Sequence, residues 1–139
     1  MVAFANAIEP TPENPMGALA KLKYLFLTDN QVGDEGIKAF ASAIASGALG
    51  SCQVINLRSN NIGEAGMQAF SDAIRSGALG LCTTIYLGEN KIGDVGMQAL
   101  ATAVSSGALP AFKKIVVPDG LENHPALVAA CKPRGIEIV

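Results

Sequence analysis

The chain has 139 residues, half of them apolar, and a formal net charge of −2. Its ten Lys and Arg residues are scattered along the sequence, so no nucleic-acid-binding face is expected. No apolar run reaches the roughly 18 residues of a membrane span, and the first residues lack the basic start and long apolar core of a secretory signal. We therefore expect a cytoplasmic protein that binds neither nucleic acid nor membranes.

A period of 30 residues runs through the chain. The tripeptide Gly-Ala-Leu recurs at residues 17–19, 47–49, 77–79 and 107–109. The segments 31–60 and 61–90 carry the same residue at 15 of 30 positions. An internal repeat of this length predicts stacked supersecondary units, each of which buries its apolar edge against its neighbours.

The chain begins inside a repeat. Residues 3–8 match the helical segment 39–44 of the first complete repeat, and residues 9–15 form a Pro-rich insertion relative to the pattern. We therefore predict a partial repeat, or cap, over residues 1–18. Two hypotheses account for it: the chain is the carboxyl-terminal piece of a longer array, or its first helix serves as its own cap.

Each complete repeat opens with a predicted strand. Constant apolar residues alternate with variable ones, and this period of two places the constant residues on the buried face. The predicted inward positions are Leu22, Leu25 and Leu27; Cys52, Ile55 and Leu57; Cys82, Ile85 and Leu87; and Phe112, Ile115 and Val117.

A predicted helix follows each strand. Its apolar residues recur at intervals of three and four, which is the spacing of one helix face. An acidic residue near each helix start suits the helix dipole, and a glycine just past each helix end suits a left-handed terminating residue. The core-facing positions are Ile37, Phe40, Ala41 and Ile44; Met67, Phe70, Ser71 and Ile74; and Met97, Leu100, Ala101 and Val104. The acidic residues are Asp34, Glu64 and Asp94, and the glycines are Gly47, Gly77 and Gly107.

The fourth repeat departs from this pattern. Gly120 stands where the earlier repeats have an asparagine. Residues 123–130 predict a short helix with Leu127 facing inward, residues 132–135 a turn, and residues 136–139 a last strand.

Strand and helix units repeated at a fixed period stack into a curved solenoid, with a parallel sheet on the concave face and helices on the convex face. We predict one α/β domain over residues 1–139. It consists of the cap 1–18, the repeats 19–120 and a degenerate carboxyl-terminal cap over residues 121–139.

The first complete repeat resembles the leucine-rich-repeat signature in the motif Leu22-x-x-Leu25-x-Leu27-x-x-Asn30-x-Val32-Gly33-Asp34-x-Gly36. Its helical continuation, Ile37-x-Ala39-Phe40-Ala41-x-Ala43-Ile44, resembles the long ribonuclease-inhibitor-like class, as in NOD-like receptors and the Ran GTPase-activating protein. The resemblance implies a horseshoe arc that binds other proteins. It also implies that the side chains of one asparagine column bond the backbone of neighbouring turns. That column is Asn30, Asn60 and Asn90.

No catalytic residue set is predicted. His124 is the single histidine, so it can form neither a triad nor a histidine-rich metal site on its own, and we expect it to be solvated or to cap a helix. The glycine-rich turn 33–36 and its copies lack the Lys-Ser/Thr ending of a phosphate loop. We therefore predict a protein that is not an enzyme and that uses no cofactor or metal.

The three cysteines form no CxxC pair, and an odd count without a signal sequence predicts reduced thiols. Cys52 and Cys82 lead two successive strands, where we expect them to act as small apolar core residues. A disulfide between them is the less favoured alternative, although it is geometrically possible because adjacent strands lie about 4.8 Å apart. Cys131 is the cysteine we expect to be accessible.

The outward-facing strand residues define a concave face in four columns. The aromatic residues Tyr24, Phe26 and Tyr86 fall on exposed positions, and with Arg58 they have the composition of a binding hot spot. The fourth column is mostly acidic, so a protein partner with a basic rim is expected. The columns are Tyr24, Val54, Thr84 and Lys114; Phe26, Asn56, Tyr86 and Val116; Thr28, Arg58, Gly88 and Pro118; and Asp29, Ser59, Glu89 and Asp119.

The leading hypothesis is a protein-binding scaffold that uses this concave face. The predicted contact residues are Tyr24, Phe26, Thr28, Asp29, Val54, Asn56, Arg58, Tyr86, Glu89 and Lys114. The alternatives are a GTPase-activating or other regulatory protein of the Ran-activator type, and the carboxyl-terminal fragment of a larger NOD-like receptor. Self-association through the exposed amino-terminal repeat is a further hypothesis. The helix face is expected to be an ordinary solvated surface.

Overall fold

Strands and helices alternate along the computed structural model, which describes residues 1–15 and 17–139, without the side chain of Val2. The helices are α1 (Val2–Ile8), α2 (Gly33–Ala45), α3 (Glu64–Arg75), α4 (Asp94–Ser105) and α5 (Pro125–Cys131), followed by a 3-10 turn at Lys132–Arg134. The strands are β1 (Tyr24–Phe26), β2 (Val54–Asn56), β3 (Thr84–Tyr86), β4 (Lys114–Val116) and β5 (Glu137–Ile138).

The five strands form one parallel sheet in chain order. Successive repeats pair in register, so that Leu25 lies beside Ile55 and Ile85 beside Ile115. The helices follow the same order, and each packs against the next. This confirms the predicted α/β solenoid of 30-residue repeats.

The core lies between the sheet and the helices. The rings of Phe40 and Phe70 stack with their centroids 6.4 Å apart, and Phe4 continues the stack 6.5 Å from Phe40. Two residues predicted to face inward, Leu22 and Leu27, are only half-buried. The reason is that β1 is an edge strand, and no described strand covers its outer side.

A carboxylate in the first turn of α2 links two repeats. Asp34 Oδ1 accepts a hydrogen bond from the N–H of Gly63 at 2.7 Å, and Gly63 is the residue before α3. The first N–H groups of a helix have no intrahelical partner, and the helix dipole favours a negative charge beside them. Asp34 therefore stabilises the start of the next repeat's helix.

Gly66 lets α3 approach α2 closely. A methyl group at Gly66 would overlap the Ile37 side chain and lie 3.1 Å from the Cα of Asp34.

We expect Gly66→Ala to lower the free energy of unfolding, measured in urea, by about 1–2 kcal/mol. Overpacking of about 3 kcal/mol outweighs the gain of about 1 kcal/mol in helix propensity. Gly80→Ala is the control, because a Cβ at Gly80 meets no described atom within 4 Å; equal losses would contradict this account.

The carboxyl-terminal segment contains the predicted helix, turn and strand, with shifted bounds. The helix begins at Pro125 rather than at residue 123, as suits a proline whose missing N–H is not needed in the first turn. Leu127 is buried, as predicted. Gly135 ends the 3-10 turn with a φ of 65°, a left-handed conformation that glycine adopts readily.

One arginine ties this segment to the repeats. Arg134 donates to the carbonyls of Val104 and Ala108, both at 2.8 Å, and to that of Leu109 at 2.6 Å. Val104 lies in the last turn of α4, and Ala108 and Leu109 follow the helix, so the guanidinium holds the carboxyl-terminal segment against the end of α4.

Candidate protein-binding face

The outward-facing strand residues form straight columns across the sheet. The parallel register aligns Tyr24 with Val54 and Thr84, as the sequence predicts, and it continues this first column through Lys114 to Glu137. The second column is Phe26, Asn56, Tyr86 and Val116. Glu137 was missing from the predicted columns because its strand is only two residues long and follows a turn that breaks the 30-residue period.

The aromatic residues concentrate near the first strand. The exposed fractions of Tyr24 and Phe26 are 53% and 62%. Tyr86 was predicted to be exposed but is half-buried, at a central place in the column between Asn56 and Val116. The face therefore offers two freely exposed rings at its edge and one partly covered ring at its centre.

An ion pair joins the third and fourth columns. The Arg58 guanidinium contacts the Glu89 carboxylate, and the Ser59 hydroxyl donates to the same carboxylate at 2.7 Å. The hydrogen bond from Ser59, followed by the bond and charge of Arg58, holds the pKa of Glu89 below its ordinary value. The bond and charge of Glu89 raise the pKa of Arg58.

This pair changes the charge expected for the face. Arg58 neutralises Glu89, so the acidic column keeps two exposed carboxylates outside any described ion pair, those of Asp29 and Asp119. Lys114 is likewise paired, at 3.3 Å, with Glu137. The excess negative charge lies at the two ends of the fourth column, with the neutralised pair between them.

A shallow cavity of about 250 Å³ lies beside the ion pair. Gly88 leaves it open, because a Cβ there would come only within 3.9 Å of the Arg58 side chain. Pro118, predicted to point outward, is buried instead. The Val117 N–H donates to the Val139 carbonyl at 2.8 Å, which brings the end of the chain against this position. The cavity is lined by Arg58, Tyr86, Gly88, Glu89, Val116, Val117 and Asp119.

Two asparagines connect the turns that follow the strands. Asn90 Nδ2 donates to the carbonyl of Leu87 in its own turn and to that of Leu57 in the preceding one, both at 2.9 Å. Asn90 Oδ1 accepts from the N–H groups of Asn60 and Ile62, at 3.1 and 2.9 Å. Asn60 Nδ2 reaches back to the carbonyl of Leu27 at 2.8 Å.

Asn30 differs from the other two members of this column. Its side chain is exposed and donates only within its own turn, to the carbonyls of Leu27 and Thr28 at 2.8 and 3.1 Å. No described turn precedes it. The column therefore forms an interlocked hydrogen-bond ladder only where a repeat has a predecessor.

Three segments of the chain match the family model described as Leucine Rich repeat, at residues 18–41, 53–71 and 83–101. The second and third matches begin 30 residues apart and each runs from a strand into the helix that follows it. The chain therefore contains leucine-rich repeats in these three segments. No curated protein matches the sequence.

The three thiols of the chain are free and buried. Cys131 was predicted to be accessible. This prediction is wrong, because Cys131 lies on the inner side of α5 and is fully buried. Burial raises the pKa of all three thiols, and that of Cys82 rises from 9.0 to about 12.

These thiols should be unreactive in the folded protein. We expect Ellman's reagent at mildly alkaline pH to label no cysteine before denaturation and all three after it, because the thiolate is the reacting form. Rapid labelling of the folded chain would contradict the burial of the thiols.

The raised pKa of Cys82 means that its contribution to stability is complete below about pH 9 and is lost as the pH rises towards 12.

The helix side of the repeats carries an open groove, whereas the sequence predicts an ordinary solvated surface there. It has a volume of about 510 Å³ and lies between α4 and α5.

His124 was predicted to be solvated or to cap a helix, but its side chain is 11% exposed and makes no capping bond. Its Nε2 lies 3.7 Å from Asp94 Oδ1, because the packing of α5 on α4 places His124 over the first turn of α4.

The described residues contain no group of three or more His, Cys, Asp or Glu side chains that could hold a metal ion. Among the helices of the described chain, none is both long and apolar enough to cross a membrane. Among the described residues, the concave face carries the exposed aromatic side chains, those of Tyr24 and Phe26, beside charged groups.

Proposed function

We propose that this chain is a protein-recognition module that binds its partner on the concave sheet. The observation that carries the proposal is the pair of exposed aromatic rings, Tyr24 and Phe26, on a parallel sheet whose register places Phe26 in one column with Tyr86. Tryptophan, tyrosine and arginine are enriched among the few residues that dominate the binding energy of protein interfaces. Aromatic side chains in particular bury a large area at a small cost in side-chain entropy.

The charges of the face indicate the partner's chemistry. Asp29 and Asp119 are exposed at the two ends of the fourth column, on either side of the neutralised pair of Arg58 and Glu89. A partner with basic residues at the same spacing would gain electrostatic complementarity at both ends. We therefore propose a protein partner with a basic rim, and we assign the predicted contact residues to this interface.

Three finer assignments belong to the proposal. The alternation of one strand and one long helix in every 30 residues supports the ribonuclease-inhibitor-like class. The three free, buried thiols support a reducing compartment such as the cytoplasm. The continuous sheet supports one domain, 1–139, with a cap over residues 1–18, repeats over 19–120 and a cap over 121–139.

The proposal is tested by affinity capture with matched variants. The double variant Phe26→Asp, Tyr86→Asp places two charges on the concave face. The control, Leu81→Asp, Val95→Asp, makes the same change at two other exposed apolar residues, which lie outside the sheet columns. Circular dichroism confirms that all chains are folded.

We expect the native chain and the control to capture the same protein from a lysate of the source cell, and the concave variant to lose it. A hot-spot change costs about 2 kcal/mol or more, which is a loss of roughly thirtyfold in affinity. Equal capture by both double variants would move the binding site away from the sheet and refute the proposal.

A further inference from the structure

The cavity of about 250 Å³ beside the pair of Arg58 and Glu89 draws its walls from three successive repeats. Arg58 lies in the turn after β2, Gly88 and Glu89 lie in the turn after β3, and Asp119 lies in the turn after β4. The parallel register of these strands brings the three turns side by side. The cavity is therefore a product of the stacking of the repeats.

A glycine keeps this cavity open. Gly88 stands at the place that Thr28 holds in the first repeat and Arg58 holds in the second. A Cβ at Gly88 would lie 3.9 Å from the Cγ of Arg58 and 4.0 Å from the Cγ1 of Val116, which are ordinary contact distances. The space beside Gly88 is therefore large enough for a side chain, and a group from another molecule can enter it.

The cavity carries an excess of negative charge. One guanidinium and two carboxylates line it, which leaves a net charge of −1. Glu89 is already bonded to Arg58 and Ser59. The Asp119 carboxylate is exposed and forms no ion pair with any described residue. Asp119 is therefore the group whose charge a ligand in the cavity would neutralise, and that ligand has to be a cation.

The apolar part of the lining favours a flat cation over a compact one. Tyr86 and Val116 both line the cavity, and both are half-buried. A guanidinium stacks on aromatic rings, donates to a carboxylate through two parallel N–H groups and is more weakly hydrated than an ammonium. A lysine ammonium is a strongly hydrated point charge, so it loses more hydration beside apolar side chains. A carboxylate would be repelled by Asp119.

We propose that this cavity binds an arginine side chain of the protein partner, with the guanidinium against Asp119 and the aliphatic stem in the space beside Gly88. The inference rests on the proposed function, because it names the residue of the partner that the concave face receives. Gly88 and Asp119 are then the residues that select the partner, the first by leaving room and the second by its charge. The neutralised pair of Arg58 and Glu89 forms one wall of the cavity.

The test is a titration of the ¹⁵N-labelled, full 139-residue chain with the peptide acetyl-Gly-Arg-Gly-amide, followed by the NMR signals of the backbone N–H groups. Low ionic strength is used, because salt screens exposed charges. Two further peptides separate the causes of binding. Citrulline in place of arginine keeps the shape and removes the charge, and lysine keeps the charge and removes the guanidinium.

We expect the arginine peptide to cause saturable shifts in the signals of Gly88, Glu89 and Val117, which line the cavity. The citrulline peptide should bind about tenfold more weakly, because it loses a charge-assisted contact. The lysine peptide should also bind more weakly than the arginine peptide. The absence of saturable shifts at these signals would overturn the proposal, and so would equal affinity for the citrulline or the lysine peptide.

Matched variants test the two selecting residues. Asp119→Asn keeps the shape of the side chain and removes its charge, so the affinity for the arginine peptide should fall about fivefold. Gly88→Thr places the residue of the first repeat, Thr28, in the cavity and should abolish the shifts; Gly88 has no left-handed φ that threonine would resist. Asp94→Asn removes the same charge on the helix side and should bind as the native chain does.

The dispersion of the same NMR signals shows whether each variant is folded. If Gly88→Thr does not fold, Asp119→Asn still decides, because native affinity in that variant would overturn the proposal.

The lysate capture separates this inference from the proposed function. Gly88→Thr should lose the captured partner, as the double variant Phe26→Asp, Tyr86→Asp does. If the double variant alone lost the partner, the concave face would still bind a protein, and the arginine cavity would be wrong. If neither variant lost it, the proposed function itself would fail.

Discussion

Replacing Phe70 by alanine should lower the free energy of unfolding by about 3–5 kcal/mol, the usual cost of removing a large buried aromatic side chain. Phe70 is fully buried and stacks on Phe40 at the centre of the helix layer. Repeats of a solenoid contact only their neighbours, so a cavity at this position weakens both contacts of the second repeat. Urea denaturation followed by circular dichroism gives the change.

The matched control is Phe4→Ala, which removes the same side chain from the end of the same stack. Phe4 is only half-buried, so its loss should cost clearly less than the loss of Phe70. If the two variants lost the same stability, the stack would not be anchored at its centre, and the core described here would be wrong.

Asn90→Ala is expected to lower the free energy of unfolding by about 2–4 kcal/mol, because several buried hydrogen-bonding groups would lose their partners at once. The change removes the acceptor for the N–H groups of Asn60 and Ile62. It also removes the donor to the carbonyls of Leu57 and Leu87. The measurement is again urea denaturation.

Two further variants assign the cause. Asn90→Asp keeps an acceptor for the two N–H groups but places a carboxylate against carbonyl oxygens, so it should be as damaging as alanine. Asn30→Ala should cost less than about 1 kcal/mol, because the Asn30 side chain is exposed and bonds only its own turn. A loss at Asn30 as large as that at Asn90 would contradict the interlocked ladder.

The repeated architecture could be predicted from the sequence because the constraints that set it are local and periodic. A buried strand position such as Ile85 and a helix position such as Met97 recur with the spacing of their own element. Parallel pairing then follows, because every connection has the same length. Register, and hence the alignment of Tyr24 with Val54, needs only that fixed period.

The errors arose where the period ends. Leu22 and Leu27 carry the pattern of buried residues, but burial depends on a neighbouring strand that the described chain does not supply. Cys131 and His124 lie after the last regular turn, so their surroundings depend on how α5 packs on α4. The pairing of Arg58 with Glu89 joins residues 31 positions apart, and it depends on rotamers that the pattern does not specify.

The central claim is that the concave sheet binds a protein. The most direct measurement uses two variants with a photo-crosslinking amino acid. One carries it at Tyr86 on the sheet, and the other carries it at Gln98 on the exposed side of α4. Each variant is irradiated in lysate from the source cell. We expect one defined cross-linked protein from position 86, lost in the presence of excess native chain, and none from position 98. The same protein cross-linked from position 98 and not from position 86 would contradict it.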